Sequence, residues 1–156
     1  MIAGVGGRIA SSPLGSLILT AEGDALTGVR FGEDGDPSGH EWILGEAERQ
    51  LDDYFAGRRA RFDLTLRLAG TPFQERVWRA LLEIPYGETI TYAGLAAEIG
   101  VPAAVRAVGA ANGQNPLSIV VPCHRVVGSN GSLTGYGGGL EAKRWLLDLE
   151  RRAAPR

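Results

Sequence analysis

Residues 91–113 read TYAGLAAEIGVPAAVRAVGAANG, and the reading of this stretch decides the architecture of the second half of the chain. Thr91 stands where a helix wants an N-terminal cap, Leu95 and Ile99 recur at helical spacing, and Gly100 suits the C-terminal position that favours glycine. Pro102 fits the first turn of a second helix, where its missing N–H would have had no partner, and that helix runs to Asn112-Gly113. Two short helices joined by a tight glycine-containing turn read as a helix-turn-helix, in which the second helix ordinarily meets DNA. The exposed face expected for that helix carries Ala103, Ala104, Ala107, Ala110 and Ala111, with Arg106 as its only long side chain. Small residues permit a backbone to approach a groove closely, and they equally permit close helix packing.

Towards the C-terminus, Asn115-Pro116 reads as a turn. It leads into Ile119-Val120-Val121-Pro122-Cys123-His124-Arg125-Val126-Val127, which holds the only cysteine and one of the two histidines. A thiol acts as a nucleophile only as thiolate, and a neighbouring base or cation lowers its pKa into a useful range. Successive side chains on a strand point to opposite faces, so His124 reaches the sulfur only if the chain bends. Pro122, with its fixed φ and missing donor, predicts that bend. The plainer alternative is a core cysteine among valines, since free cysteine is among the most buried residue types; the attached Pro122, His124 and Arg125 put chemistry first.

Gly128 to Gly139 is a loop rich in glycine and serine, with Leu133 and Tyr136 as its large side chains. A tyrosine inside a glycine cluster suits a pocket wall over which a planar ring slides. The last helix runs from Leu140 to about Arg152 and packs Ala142, Trp145, Leu146 and Leu149. Lys143, Leu146, Leu147 and Glu150 share an adjoining face at spacings of three and four residues. A lysine and a glutamate on a helix surface are ordinarily solvated charges.

Upstream, Thr71 caps a helix with Pro72 in its first turn and Gln74 completing a capping box, and Phe73, Val77, Leu81 and Ile84 form its buried stripe until Pro85 and Gly87 stop it. In the first half, Ile9–Ala10, Ser16–Thr20 and Ala25–Phe31 read as short strands of an antiparallel meander, with turns at Pro13-Leu14-Gly15 and Glu22-Gly23-Asp24. A helix follows: Ser38 and Glu41 form a capping box, Ile43, Ala47, Leu51, Tyr54 and Phe55 recur at helical spacing, and Gly57 closes the end. Phe62–Leu68 reads as one more strand before a boundary at Gly70-Thr71. His40 reads as a solvated histidine, and Arg58-Arg59-Ala60-Arg61 as a solvated basic linker that could touch phosphate.

A chain of 156 residues suits one or two small domains, here residues 1–70 and 71–156, and buries roughly two-thirds of its unfolded surface without staples. One cysteine excludes an internal disulfide, and with two separated histidines it gives no zinc site, so neither metal nor cofactor is expected. No stretch is apolar enough to span a membrane, and the start lacks the pattern of an export signal, which predicts a cytoplasmic protein. The net charge of −2 argues against coating nucleic acid by bulk electrostatics. Residues 1–70 carry 7 arginines against 11 carboxylates, whereas residues 71–156 carry 9 Lys and Arg against 7. No carboxylate lies between Glu98 and Glu141, a gap that holds Arg106, His124 and Arg125. A surface that approaches phosphates avoids carboxylates in this way, although a glycine- and alanine-rich segment is poor in every charge.

Pro122-Cys123-His124-Arg125-Val126 resembles the active-site signature of the O6-alkylguanine-DNA alkyltransferases, the methylated-DNA–protein-cysteine methyltransferases. Ile84-Pro85-Tyr86-Gly87-Glu88-Thr89, Arg106-Ala107-Val108-Gly109-Ala110-Ala111-Asn112 and Thr134-Gly135-Tyr136-Gly137-Gly138-Gly139 extend the likeness from about Gly70 to Glu150. The first seventy residues match only in general layout. The resemblance implies an α/β (α+β) fold: a small N-terminal antiparallel sheet with a helix, RNase H-like, then a mostly helical, winged helix-turn-helix-like domain carrying the active site.

It also implies direct repair of duplex DNA. The alkylated base is flipped out, and its alkyl group passes from O6 of guanine, and also from O4 of thymine, irreversibly to Cys123 in a single turnover. In that reading His124 takes the thiol proton through a water, Glu150 orients His124, and Tyr92 assists the departing base. Arg106 inserts into the base stack from the minor groove, with Ala104, Ala107, Ala110, Ala111 and Arg125 also on the DNA side. Asn115 is a hinge between the recognition helix and the cysteine loop. Val126, Tyr136, Gly137, Gly138 and Lys143 line the pocket; the Gly137 N–H bonds O6, and the Val126 and Cys123 carbonyls accept from the exocyclic amine. A monomer in solution is expected, with cooperation on DNA left open. Two other classes are weighed beside it: a cysteine-histidine hydrolase, and a non-catalytic binder of alkylated DNA.

Overall fold

Two short apolar runs of the first half, Leu17-Ile18-Leu19 and Ala25-Leu26, are bounded by turn residues and buried as neighbouring strands of a single sheet. The computed structural model describes residues 5–154, and the chain divides into two compact units, one ending at Leu68 and one beginning at Ala69. In the first unit β1 (Val5–Ala10), β2 (Leu17–Glu22) and β3 (Ala25–Phe31) form an antiparallel sheet in the order β1-β2-β3. Ile9 faces Ile18 and Leu19 faces Val29, with a bulge between Thr20 and Ala21. Leu17, Leu19, Leu26 and Val29 are buried, together with Ile43, Leu44, Ala47, Leu51 and Tyr54 of α1 (Trp42–Phe55).

The ends of α1 show one expectation met and one overturned. Gly57, at φ +76, lets its own N–H reach Tyr54 O (3.0 Å) while Arg58 N–H reaches Asp53 O (2.8 Å), so two terminal carbonyls are satisfied. The capping box of Ser38 and Glu41 does not form. Glu41 itself occupies the cap position without a side-chain bond, and the Ser38 N–H donates to Asp36 Oδ1 at 2.9 Å in the preceding turn. The stretch Phe62–Leu68 supplies only a parallel bridge beside Leu26, through Leu26 N–H to Thr65 O (2.8 Å) and Arg67 N–H to Leu26 O (2.9 Å). It extends no further at Asp63, whose N–H and carbonyl both bond the Gln50 side chain.

The second unit is mostly helical. Thr71 and Gln74 form the reciprocal capping box of α2 (Pro72–Leu81), which buries Val77, Trp78 and Leu81. Thr91 accepts from Gly94 N–H at the start of α3 (Tyr92–Glu98). The next helix, α4 (Val105–Gly113), begins later than Pro102: that proline lies inside the turn closed by Ala104 N–H to Val101 O (2.8 Å), so it opens a turn and not the helix. The Trp78 indole donates to Ala111 O at 2.8 Å and fastens α4 to α2. Strands β4 (Ile90–Thr91) and β5 (Val126–Val127) pair in parallel, and α5 (Leu140–Ala153) packs on the turn that precedes β5. No helix among the described residues is long and apolar enough to cross a membrane.

Candidate active site

The segment before the cysteine is not a strand. Ile119 adopts φ +74, a strained conformation for a β-branched residue, and it is buried in a turn closed by Val120 N–H to Ser118 O (2.8 Å). Pro122 (φ −82, ψ 64) centres a second tight turn, closed by Cys123 N–H to Val121 O (2.8 Å). Cys123–Arg125 then forms one turn of 3-10 helix, in which consecutive side chains leave the axis about 120° apart. The bend read from Pro122 therefore sends the thiol, imidazole and guanidinium in three directions.

Asn115 holds this segment from the end of α4. Its Nδ2 donates to Val121 O at 2.8 Å and its Oδ1 accepts from Leu117 N–H at 2.9 Å. Asn112, inside α4, adds a longer contact from Nδ2 to Cys123 O at 3.4 Å. That carbonyl also accepts from the Val126 N–H. Two donors within the chain thus already reach that carbonyl, the nearer end of the cysteine turn being tied to both α4 and the residue that follows it.

Besides the Cys123 thiol, four charged or titratable side chains lie buried among the described residues of the unit: His124 0 %, Lys143 0 %, Glu150 0 % and Arg125 7 % exposed. Buried charges persist only when paired and hydrogen-bonded. Glu150 Oε2 is 2.7 Å from His124 Nε2 and 3.0 Å from Arg125 Nη2, while Oε1 takes Arg125 Nε at 2.8 Å and the Gly87 N–H at 3.4 Å. Burial pushes the Glu150 carboxyl up, but the hydrogen bonds from His124 and Arg125 outweigh it and hold the group at about 2. An ionised carboxylate only accepts, so Nε2 carries the imidazole proton and Nδ1 is left as an acceptor. Among the described residues no protein group bonds Nδ1.

Burial lowers the pKa of His124, against the pull of Glu150, and Arg125 and Lys143 lower it further. The imidazole is therefore poised as a neutral base. Burial raises the pKa of Cys123, with Asn115 and Lys143 acting the other way. The cysteine thus rests as a thiol, and its cationic neighbours do not make it a standing thiolate as adjacency in sequence had suggested.

Arg125 is a correction. Its guanidinium forks onto Glu150, donates through Nη1 to Ile84 O at 2.7 Å and lies 5.6 Å from the centre of the Tyr86 ring, so it is a buried structural charge and not a DNA-facing one. Gly87 at φ +84 allows the turn beside it: a Cβ there would sit 2.9 Å from that of Ala154. Ala111 is a second correction, for it is 2 % exposed behind α4. Arg106, Ala103, Ala107 and Ala110 are exposed and Ala104 half-exposed.

Lys143 Nζ donates to Thr134 O at 2.7 Å and lies 5.9 Å from the centre of the Tyr92 ring. The Tyr92 hydroxyl and Thr134 exchange hydrogen bonds of 3.3 and 3.2 Å. The Tyr136 ring meets His124 edge-on with centroids 6.4 Å apart. A Cβ at Gly137 would meet nothing within 4 Å, so that position offers its backbone, beside Gly138 in the same loop. Val126 is buried in β5.

Sequence reasoning missed Trp78, Asn112, Thr134 and the true place of Arg125. For Arg125 a signal existed: a charge inside an apolar run must be buried with a partner or break the run. Thr134 acts through its carbonyl, which no residue type announces. Among the described residues no group of three or more His, Cys, Asp and Glu could hold a metal ion.

Comparison with known proteins adds an independent observation. Residues 72–152 match the family described as 6-O-methylguanine DNA methyltransferase, DNA binding domain, and residues 8–68 match its ribonuclease-like domain. A methylated-DNA–protein-cysteine methyltransferase of Mycobacterium bovis is 52 % identical over 154 residues, covering 95 % of this chain and 93 % of that protein. The constitutive one of Bacillus subtilis is 48 % identical over 153 residues, covering 91 % and 93 %. The crystal structure of the Mycobacterium tuberculosis O6-methylguanine methyltransferase superposes with a TM-score of 0.87 at 50 % identity, covering 97 % of this chain and 95 % of that one. The same relative in complex with DNA superposes with a TM-score of 0.87 at 51 % identity, covering 96 % and 94 %.

Proposed function

The chain belongs to the 6-O-methylguanine DNA methyltransferase family and repairs DNA by alkyl transfer to a protein cysteine; from that premise we propose how its own residues perform the transfer. Only one cysteine is available, so Cys123 is the acceptor. The substrate is duplex DNA carrying O6-alkylguanine, and O4-alkylthymine as a second lesion. The base swings out of the stack, since its reacting atom cannot be reached inside it. Arg106, with the small exposed face of α4 around it, fills the gap.

The thiol proton passes to His124 Nδ1 through a bridging water. Glu150, bonded to Nε2 at 2.7 Å, stabilises the imidazolium as it forms. The sulfur attacks the alkyl carbon in line, the C–O6 bond breaks, and its electron pair leaves with guanine. The departing base takes up a proton, with the Tyr92 hydroxyl as donor and the Gly137 N–H bonded to O6. Loop 128–139, with Tyr136 and Gly138, covers the base, and Lys143 holds that loop through Thr134.

The product is a thioether without an electrophilic carbonyl, so water cannot reverse it as it deacylates a hydrolase. Each molecule acts once. The reaction needs a reduced thiol and DNA, which assigns it to the cytoplasm. The observation that carries this reading is the buried Glu150–His124 pair with its free acceptor nitrogen one residue from the only cysteine.

Intact-protein mass after mixing with a duplex containing O6-methylguanine tests it. One methyl on Cys123 at unit stoichiometry is expected. An unmodified protein overturns the transfer, and turnover of an ester or amide points to a hydrolase instead.

A further inference from the structure

We propose that Arg125 is a positioning residue that shares Glu150 with His124 and so keeps His124 a neutral base instead of a resident imidazolium. The inference rests on the alkyl-transfer reading, in which His124 must arrive without a proton on Nδ1. Its ground is the geometry of one carboxylate with two claimants. Oε2 is held by both His124 Nε2 (2.7 Å) and Arg125 Nη2 (3.0 Å), and Oε1 by Arg125 Nε (2.8 Å). A bidentate guanidinium pair of this kind is among the strongest that side chains form. The guanidinium cannot swing away, because Ile84 O takes Nη1 at 2.7 Å and the Tyr86 ring lies beneath it.

Consider the same carboxylate with the imidazole alone. A buried anion beside a histidine in a low-dielectric interior draws a proton onto the ring, since the ion pair is then the only way to compensate the charge. The histidine would rest protonated, hold both ring nitrogens as donors and accept nothing from the thiol. Arg125 removes that pull by neutralising Glu150 permanently. A proton on His124 then adds a second positive charge beside Arg125, and a third with Lys143.

The groups facing His124 are few and can be named. Helix α5 presents Glu150 and Lys143, the 3-10 turn presents Cys123 and Arg125, the loop before α5 presents the edge of Tyr136, and helix α2, also packed on that turn, buries only Val77, Trp78 and Leu81. The turn before β4 reaches the network through Gly87 N–H, with Tyr86 against the guanidinium. Of these only Glu150 favours the imidazolium, and its charge is the one Arg125 divides. The acid–base balance therefore stays open: Glu150 is near enough to stabilise a transient imidazolium while the thiol proton travels, but not committed enough to trap it.

Two readouts test this. Nitrogen-15 NMR of the two histidines, with His40→Gln to assign them, is expected to show wild-type His124 as the neutral Nε2–H tautomer at neutral pH, half-protonated below a free imidazole. In Arg125→Gln the midpoint moves to higher pH. The acid limb of the single-turnover transfer rate moves with it, with a loss of about tenfold at the acid end and less than about threefold on the alkaline plateau. Arg125→Lys, which keeps the charge, leaves the limb at its wild-type position. A loss equal at every pH with an unmoved His124 midpoint overturns the proposal and leaves Arg125 a packing residue. Should Arg125→Gln not fold, the wild-type spectrum and Arg125→Lys decide: an imidazolium at neutral pH in the wild type, or a limb displaced in the lysine variant, overturns it. If no alkyl transfer is seen at all, the proposed function fails while the NMR titration still reads the action of Arg125.

Discussion

Both units carry exposed ion pairs, Arg79–Glu75 and Arg151–Asp148 among those of the second, but only the second adds a buried set. In the first, Arg49 lies between Glu46 and Asp53, Arg58 also reaches Asp53, and Arg8 meets Glu48, all with the arginine side chain 45 % or more exposed. Such pairs sit in water, are screened by salt and contribute little. In the second, His124, Arg125, Lys143 and Glu150 are enclosed, where removing each ion from water costs several kcal/mol and only good geometry offsets it. Hydrophobic residues would stabilise that interior at least as well. Three of these groups, His124, Arg125 and Glu150, bond one another and Lys143 ties down the loop above them, so the site is found by asking where charge is out of place.

The change that should break the chemistry most completely is Cys123→Ser. A hydroxyl in the same buried place is far less acidic and less nucleophilic than a thiol. Methyl transfer from O6-methylguanine duplex, followed by intact mass, should fall below detection, while lesion binding measured by gel shift persists. Detectable transfer would displace Cys123 as the acceptor.

Glu150→Gln against Arg49→Ala turns the contrast between the units into a measurement. Breaking the buried side strands Arg125 without its anion and should cost about 3–5 kcal/mol in urea unfolding, whereas the exposed arginine should leave the midpoint unmoved. The pH dependence follows in sign. The Glu150 carboxyl is held at about 2 when folded against 4.5 ordinarily, so its contribution is full above 4.5 and is lost as pH falls through about 2. Up to about 3 kcal/mol should disappear across that window in the wild type and none of it in Glu150→Gln. An acid-unfolding curve identical in the two proteins would remove Glu150 from the stability argument.

Arg106→Ala addresses the exposed charge of the second unit. Flipping a base costs a few kcal/mol, and Arg106 is the long side chain exposed on α4. If about 1.4–2.8 kcal/mol of that cost goes uncompensated, transfer from duplex DNA falls by roughly one or two orders of magnitude. A free modified base such as O6-benzylguanine needs no flipping and should react nearly as fast as with wild type. Equal loss on both substrates would instead make Arg106 a support of the fold.

What the sequence made legible was periodic or local. The meander, the stripe Val77–Leu81, the bend at Pro122 and the caps at Thr71 and Thr91 follow from spacing and from side chains that bond their own backbone neighbours. What it hid depends on pairing across distance. Arg125 could be read as a DNA contact because its partners, Glu150 and the carbonyl of Ile84, lie 25 and 41 residues away. The strained φ of Ile119 has no signature either, since a β-branched residue is the last choice for that conformation and is held there only by the packing around it. Pro102 misled for a different reason: the same fixed φ serves a helix's first turn and the second position of a β-turn.

The smallest effect separates two identical-looking signals, Thr71 with Gln74 and Ser38 with Glu41. Both have the spacing of a capping box, yet only the first forms it: Gln74 N–H donates to Thr71 Oγ1 at 3.1 Å and Thr71 N–H to Gln74 Oε1 at 2.9 Å. The chain before α1 instead turns through Asp36, which takes the Ser38 N–H and leaves the serine hydroxyl no helix to cap. Thr71→Ala removes an acceptor from a helix end and should destabilise the second unit by about 1 kcal/mol. Ser38→Ala should change the unfolding midpoint by nothing measurable. Equal losses in the two variants would mean that Ser38 does cap α1 in solution, and a neutral Thr71→Ala would mean that Pro72 and the buried stripe of α2 fix its start without the threonine.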